Sequence, residues 1–503
     1  MSLYALIHDR LGAAASAPVL QIPGGPVLTG ARVIEQTARY AAFLSSLGVQ
    51  QGDRVAVQVE KSPEALLVYL ACLRAGFVFM PMNPAYQDDE VAYLLGDAAP
   101  AVFLHAPEPA PHRQAIAERQ GVRFCFSLGS QGDGSFLEEA GRAEAESEPV
   151  ACTDDDLAAM LYTSGTTGKP KGAMLTQRNL SSNALALVEA WRFTSDDVLL
   201  HALPIFHTHG LFVASHCALL SGARMIWLPR FERAEVLRAL EAATVFMGVP
   251  TYYTRLLAGA DFTREACRQM RLFVSGSAPL LAETHREFQE RSGHVILERY
   301  GMTETGMNTG NLYEGPRVPG SVGQPFPGVS VRVVGEDDQP LAPGSVGEIQ
   351  VKGPNVFTGY WRQPEKTAAE FTSDGFFRTG DVGRIDDRGY LAIVGRAKDM
   401  IISGGFNVYP KEVEALIDAL PGVMESAVVG VPHPDFGEVG VAVVKAAGAL
   451  SEGEILAALK GRLANYKLPK RVFFTEDLPR NAMGKVQKNL LREGVRDCFV
   501  TLP

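Results

Sequence analysis

The sequence predicts an α/β protein with a large N-terminal domain of mixed α/β subdomains, a β-rich subdomain appended to it, and a small α+β C-terminal domain. Three observations predict this. Short apolar strands alternate with amphipathic helical stretches from about Ala31 onward, strands broken by Gly, Pro and Asp dominate after about Gly320, and a separate run of helices and strands follows Tyr409. A chain of 503 residues agrees with about three compact units at roughly 150 residues each.

In chain order, residues 53–60 (DRVAVQVE) alternate strictly, with Val55, Val57 and Val59 on one face of a strand. Ser62 then caps a helix that has Pro63 in its first turn. Strands are expected at 77–80, 102–104, 159–162, 198–202, 225–228 and 272–275, and this strand–helix rhythm implies a parallel or mixed sheet. Residues 329–354 read as β-hairpins, the start of the β-rich subdomain from about 320. The last unit reads helix (411–420), strand (425–432), strand (441–447), helix (452–464) and strand (470–476), with a boundary at 395–399 (GRAKD).

Composition excludes several classes. The chain carries 47 basic and 57 acidic residues, a net charge of −10, which disfavours a general nucleic-acid binder. Cys72, Cys125, Cys152, Cys217, Cys267 and Cys498 are scattered without a CxxC pair, against a zinc ribbon or a disulfide framework. The first residues lack a signal-peptide pattern and no apolar run reaches 18 residues, so a soluble, cytoplasmic protein without a membrane partner is expected.

The strongest local signal is YTSGTTGKPKG, Tyr162 to Gly172, directly after the apolar stretch LAAML. Thr163, Ser164, Gly165, Thr166, Thr167 and Gly168 offer hydroxyls and unobstructed backbone N–H groups to phosphate oxygens, and Lys169 and Lys171 add charge. The spacing is not that of a Walker A loop. A solvated Ser/Thr/Gly turn is the alternative reading. Further motifs follow in order: SGSAP (Ser277, Ala278), ERYGMTE (Glu298 to Glu304), YW at Tyr360, FRTGD ending at Asp381, GRAKD with Arg396, and PRNAMGK ending at Lys485.

Seven such motifs in this order, from Tyr162 to Lys485, resemble the AMP-forming adenylate synthetases, a superfamily that includes acyl-CoA synthetases, peptide-synthetase adenylation domains and firefly luciferase. The resemblance implies a two-step reaction. A carboxylate attacks the α-phosphorus of MgATP to give an acyl-adenylate and pyrophosphate, and the thiol of coenzyme A then takes the acyl group. It implies that Thr163 to Lys169 hold phosphates, and that Ser277, Ala278, Glu298, Tyr300, Gly301, Met302 and Thr303 surround the nucleotide. Asp381 and Arg396 would serve the ribose, Glu304 would hold Mg²⁺, and Lys485 would stabilise the adenylation transition state with Thr163 and Glu304. It further implies domains at 1–396 and 398–503, a hinge at Lys398, and a pantetheine tunnel lined by Gly404 and Gly405. Each residue has a plainer reading: Asp381 as a turn residue, Glu304 as the cap of a helix beginning near Thr303, and Lys485, like Lys488, as part of a solvated helix face.

The acyl substrate is read from ERYGMTE. Alternation puts Val295, Leu297 and Arg299 on one strand face, and an arginine projecting from an apolar face needs a carboxylate partner. Either an internal acid or a second carboxylate on the substrate supplies it. His207 in PIFHTHG, Ser277 and Arg255 in PTYYTRLL are further candidate donors, and His209 reads equally as structural. Together these segments resemble malonyl-CoA synthetases, which implies malonate, and methylmalonate, as substrates. The alternatives are another short or medium-chain acid, or loading of a carrier protein. Reversible acylation of Lys485 by a protein acyltransferase is an expected means of regulation.

Overall fold

The computed structural model describes residues 2–107, 110–145, 148–163, 170–403, 406–433, 436–460, 462–463, 465–481 and 484–499. The described residues form four sheets. The first has seven strands in the order Gly359–Tyr360, Lys171–Thr176, Leu157–Thr163, Val78–Pro81, Arg54–Gln58, Val102–His105 and Phe124–Ser127. Leu157–Thr163 through Phe124–Ser127 pair in parallel, as the strand–helix rhythm predicts. The alternation in 53–60 suggested one buried face, yet Val55, Ala56, Val57 and Gln58 are all buried. A central parallel strand is covered on both sides, so its polar positions are enclosed too.

The second sheet has nine strands. Six run parallel: Pro18–Gln21, Arg224–Trp227, Val198–His201, Val245–Gly248, Leu272–Ser275 and Leu297–Met302. Antiparallel strands close its two edges, Val27–Thr29 at one and Gly306–Gly310 with Gln324–Pro325 at the other. Helices fill the space between the two sheets. Pro63–Ala75 starts at the Ser62 cap, whose hydroxyl accepts the Ala65 N–H at 3.1 Å, and ends at Gly76 with φ +70°. Every residue of that helix except Glu64 is buried, because it packs against the strand Val78–Pro81 and against the helices Leu3–Ala13 and Gly30–Ser46. One apolar core runs from Val55 and Leu104 through Leu66 and Leu70 to Leu199 and Val245.

The β-rich region is an antiparallel sheet of Ser330–Val334, Gly347–Lys352, Phe377–Ile385 and Leu391–Arg396. The fourth sheet holds Ile401–Ser403, Phe406–Val408, Val423–His433, Gly437–Ala446 and Arg471–Phe474, with Pro410–Asp418, Glu452–Leu459 and Lys488–Val495 as its helices. The hairpin at 401–408 is absent from the sequence reading, since each of its strands is three residues long. No helix among the described residues is long and apolar enough to cross a membrane.

One ion pair staples the starting ends of three parallel strands. Asp197 precedes Val198–His201, Thr244 precedes Val245–Gly248 and Arg271 precedes Leu272–Ser275. The Asp197 carboxylate accepts from the Thr244 hydroxyl at 2.8 Å, from Arg271 Nε and Nη2 at 2.6 and 2.7 Å, and from the Thr194 N–H at 2.9 Å. Asp197→Ala leaves the half-buried Arg271 guanidinium with the Trp191 and Arg192 carbonyls and should lower stability by about 1–3 kcal/mol. A drop in thermal midpoint, with the substrate requirement unchanged in the surviving enzyme, is the expected readout.

Candidate active site

The parallel strands of the nine-stranded sheet finish at His201, Gly248 and Ser275, and ligands of open α/β sheets gather beyond such ends. Against this edge stands the hairpin Leu157–Thr163/Lys171–Thr176, in which Thr163 pairs with Lys171. The glycine-rich loop therefore joins two antiparallel strands and does not lead into a helix. Ser164, Gly165, Thr166, Thr167, Gly168 and Lys169 lie outside the described residues.

At the stem of that loop, the Thr163 hydroxyl donates to Glu304 Oε1 at 3.0 Å, and the Tyr360 hydroxyl donates to the same oxygen at 3.2 Å. Lys171 Nζ sits 4.4 Å from the Tyr360 ring centroid. Burial lowers the Lys171 pKa, and so does Lys366, while Glu370 and Glu304 oppose them. Glu304 caps no helix: residues 303–305 form the turn between Leu297–Met302 and Gly306–Gly310. The carboxylate is buried, with hydroxyls on one oxygen, beside a loop suited to phosphate. A hard, oxygen-seeking cation that arrives with a polyphosphate fits such a donor, since Mg²⁺ commonly takes one or two carboxylates and completes its shell with phosphate and water. Among the described residues no group of three or more His, Cys, Asp or Glu is placed to hold a metal by itself.

A second centre lies at Asp381. The Tyr300 hydroxyl donates to its Oδ2 at 2.5 Å, and Arg396 Nε meets Oδ1 at 2.7 Å. The two residues face each other across the hairpin Phe377–Ile385/Leu391–Arg396, so Asp381 is more than a turn residue. Burial works to lower the Arg396 pKa, but Asp381, Tyr300, Glu304 and Asp399 together raise it. Lys485 joins the group from the last sheet's side. Desolvation by the surrounding protein, then Arg396 and Lys398, lower its pKa, with Asp381 and Asp399 opposing. Gly484, with φ +74°, brings this loop so close to Pro250–Leu257 that a Cβ there would stand 3.1 Å from Thr251 Oγ1. Lys398 is exposed in the single 3₁₀ turn Ala397–Asp399.

The third centre is Arg299. Its side chain is buried, and neither Nε nor Nη2 has a hydrogen-bond partner among the described residues. No internal acid pairs with it there; the groups it meets are Tyr253, His207 and His209. Burial brings its pKa down to about 9, with Tyr253 opposing. Burial and then Arg299 push His207 down to about 4, and the same two causes lead in holding His209 well below the usual range. Both imidazoles are neutral near pH 7. His209 Nδ1 lies 3.3 Å from the Ser277 hydroxyl, and its Nε2 has no partner among the described residues. Ser277 sits at φ +70°, a strained conformation for a residue with a side chain. Gly276 has no room for one: a Cβ would stand 2.4 Å from Arg299 Cζ.

The wall bearing both histidines is fixed from behind. Lys61 Nζ meets His201 Nδ1 at 2.8 Å and the His201 carbonyl at 2.7 Å, and lies 4.1 Å from the Trp227 ring centroid. His201 Nε2 then reaches the Gly210 carbonyl at 3.0 Å. Gly210 belongs to a π-helix, His209–Ser215, a form that recurs at functional sites. Nothing in the sequence reading anticipated this turn or Lys61.

Two expectations for the acyl side need correction. Arg255 is exposed, and its neighbour Tyr253 is the residue that faces Arg299. Positions two apart on a helix point to opposite sides, so the apolar spacing of Tyr253, Leu256 and Leu257 would have assigned this. Val295 precedes the strand, which begins at Leu297. Glu298 is buried in the next register position and pushed up to about 8 by burial, with the Gly320 N–H at 3.3 Å and Lys411 opposing. Ala278, Gly301, Met302 and Thr303 are half-buried. Lys488 is not on a solvated face: it pairs with the buried Glu414. Gly404 and Gly405 lie outside the described residues.

Comparison with known proteins agrees with this geometry. The family model described as AMP-binding enzyme matches residues 13–361, and that of the AMP-binding enzyme C-terminal domain matches residues 412–485. A feruloyl-CoA synthase from an Amycolatopsis species is 39% identical over 475 residues, covering 93% of this chain and 94% of the relative. A malonate–CoA ligase from Arabidopsis thaliana is 34% identical, covering 92% and 81%. The crystal structure of ATP-bound MatB from Rhodopseudomonas palustris superimposes with a TM-score of 0.97 at 52% identity, covering 99% of this chain and 100% of that one. The apo form of MatB superimposes less fully, with a TM-score of 0.86. The chain belongs to the AMP-binding enzymes and, within them, to the AMP-forming CoA ligases.

Proposed function

We propose that this enzyme activates malonate, and methylmalonate, as the acyl-adenylate and transfers the malonyl group to coenzyme A, releasing AMP and pyrophosphate. The observation that carries the reading is Arg299, a buried guanidinium without a carboxylate partner among the described residues, beside two neutral histidines. A second carboxylate on the substrate, clasped by the guanidinium, relieves the cost of that unpaired charge. His207 and the Ser277 hydroxyl are the polar groups nearest at hand to orient it. The similarity to a malonate–CoA ligase and to MatB supports the same substrate. A feruloyl-type aromatic acid would bring no charge to Arg299.

In the adenylation step, the reacting carboxylate must approach the α-phosphorus while charge builds on the phosphate oxygens. Lys485 stands with the Asp381–Arg396 pair and can answer this charge, with its effect largest in the transition state. Asp381 offers its carboxylate to ribose hydroxyls while Arg396 and Tyr300 hold it in place. The neutral Glu298 carboxyl can donate a proton to an adenine acceptor. Thr163 and the loop through Lys169 would hold the outer phosphates, and Glu304 would hold a Mg²⁺ ion that neutralises phosphate charge. Lys485 is spent once the adenylate exists. Rotation about Lys398, exposed and lightly held, would then withdraw it and admit the pantetheine thiol past Gly404 and Gly405. Acylation of Lys485 by a protein acyltransferase would cancel its charge and silence the first step.

Pyrophosphate release across malonate, methylmalonate, succinate, acetate, octanoate and benzoate tests the substrate. Malonate should lead, and Arg299→Ala should cost it about 2–5 kcal/mol in kcat/KM while sparing acetate. A monocarboxylate that outperforms malonate overturns the reading. For the hinge, Lys398→Pro should keep malonate-dependent pyrophosphate release and abolish malonyl-CoA formation; equal loss of both steps would sink it.

Glu298 gives a pH test. Its folded pKa of about 8 lies above the ordinary 4.5, so between those values the folded state binds more protons than the unfolded state. Stability must then decline as pH climbs through that window. Glu298→Gln removes the term, so the thermal midpoint of the wild type should fall relative to the variant between pH 5 and 8. Parallel curves would show that Glu298 is ionised when folded.

A further inference from the structure

The loop that carries Lys485 closes on itself. The Asn481 N–H meets the Lys485 carbonyl at 2.9 Å, and the Gly484 N–H meets the Asn481 carbonyl at 2.9 Å. The peptide unit between Gly484 and Lys485 is clamped at both ends. Its N–H donates to Asn481 Oδ1 at 3.0 Å, and its carbonyl accepts from Arg480 Nη1 at 2.6 Å. The other arm of the same guanidinium, Nη2, pairs with Glu425 on the strand Val423–His433. Glu425, Arg480 and Gly484 thus form a line from the last sheet to the backbone immediately before Lys485.

We propose that Arg480 is a positioning residue for adenylation: it ties the Gly484 carbonyl to Glu425 and so fixes the direction in which Lys485 leaves the loop. The proposal rests on the reading of Lys485 as the adenylation cation. A long, flexible side chain reaches a phosphate reproducibly only when its Cα is fixed, and a small misplacement of a charge-stabilising group costs rate steeply. The fork of arginine serves a carbonyl and a carboxylate at once, which the point charge of lysine does not do in the same geometry. There is little slack on the far side, where Gly484 presses toward Thr251. Every bond of the brace lies within residues 425–485, beyond the proposed hinge, so it travels with Lys485 and has no part in a step that Lys485 has left.

The test separates the half-reactions. The first is read as pyrophosphate release from ATP and malonate. The second is read in reverse, as CoA thiol released from malonyl-CoA and AMP, which forms the adenylate without ATP. Arg480→Ala should slow the first by on the order of 10- to 100-fold through kcat, with the KM for ATP little changed, and leave the second at the wild-type rate. Arg480→Lys and Glu425→Gln should show the same split with a smaller loss, and they carry the test if the alanine variant does not fold. Equal loss in both half-reactions, or none in the first, overturns the proposal. Lys485→Met is the reference: if it splits the half-reactions and the Arg480 variants do not, the brace alone fails. If Lys485→Met does not split them, the reading of Lys485 fails and the role of Arg480 falls with it.

Discussion

Three cations, Arg396, Lys398 and Lys485, converge where the last sheet meets the rest of the chain, and the carboxylates of Asp381 and Asp399 stand among them. Like charges this close repel unless anions lie between them. Asp381 answers Arg396 directly, with Tyr300 completing its bonds. Lys485 is exposed, and Arg396 and Lys398 oppose its charge while Asp381 and Asp399 favour it. A nucleotide phosphate is the anion that would complete the set. A molecule with a net charge of −10 can therefore bind polyanions, because its positive charge is gathered where it is used.

Arg299 is solved the opposite way. Asp381 gives Arg396 an internal counterion, whereas Arg299 meets a glycine face, a tyrosine and neutral imidazoles. A site that keeps its charge uncompensated is stable only because the surrounding fold holds it. It also discriminates strongly, since a ligand lacking the matching group leaves the charge unpaired. Neutral histidines matter here: protonated ones would add repulsion and compete for the same carboxylate.

Most of this was legible in the sequence where one residue type has one physical use. The helix after Ser62, the parallel strands, the β-rich region and the inward place of Arg299 beside Leu297 follow from capping and alternation, whereas the lack of an internal acid beside Arg299 among the described residues shows only in the fold. What was hidden depends on residues far apart in the chain. The brace from Lys61 to His201 spans 140 positions, and the π-helix it steadies has no composition signature. Arg255 and Tyr253 share one short helix, and only the helical spacing separates the exposed position from the inward one. Glu304 keeps its reading as a carboxylate beside the phosphate loop; the alternative of a helix cap, which arises because a turn and a helix start share the same polar residues, fails. Val55 to Gln58 looked half-exposed because alternation in one strand does not reveal a second covering layer.

The two ends of the nine-stranded sheet divide the labour. At the starting ends, Asp197, Thr244 and Arg271 satisfy one another fully, and no ligand is needed to complete them. At the finishing ends stand Ser277 in a strained conformation, His209 and Arg299 with unsatisfied nitrogens, and a π-helix. Each of these raises the energy of the ligand-free enzyme, and each is offset by something a substrate can supply or by a buried brace such as Lys61–His201. Strain of this kind persists only where the scaffold over-determines it. The paired, satisfied edge is thus what allows the opposite edge to remain unsatisfied, and binding specificity is the form in which that stored cost is recovered.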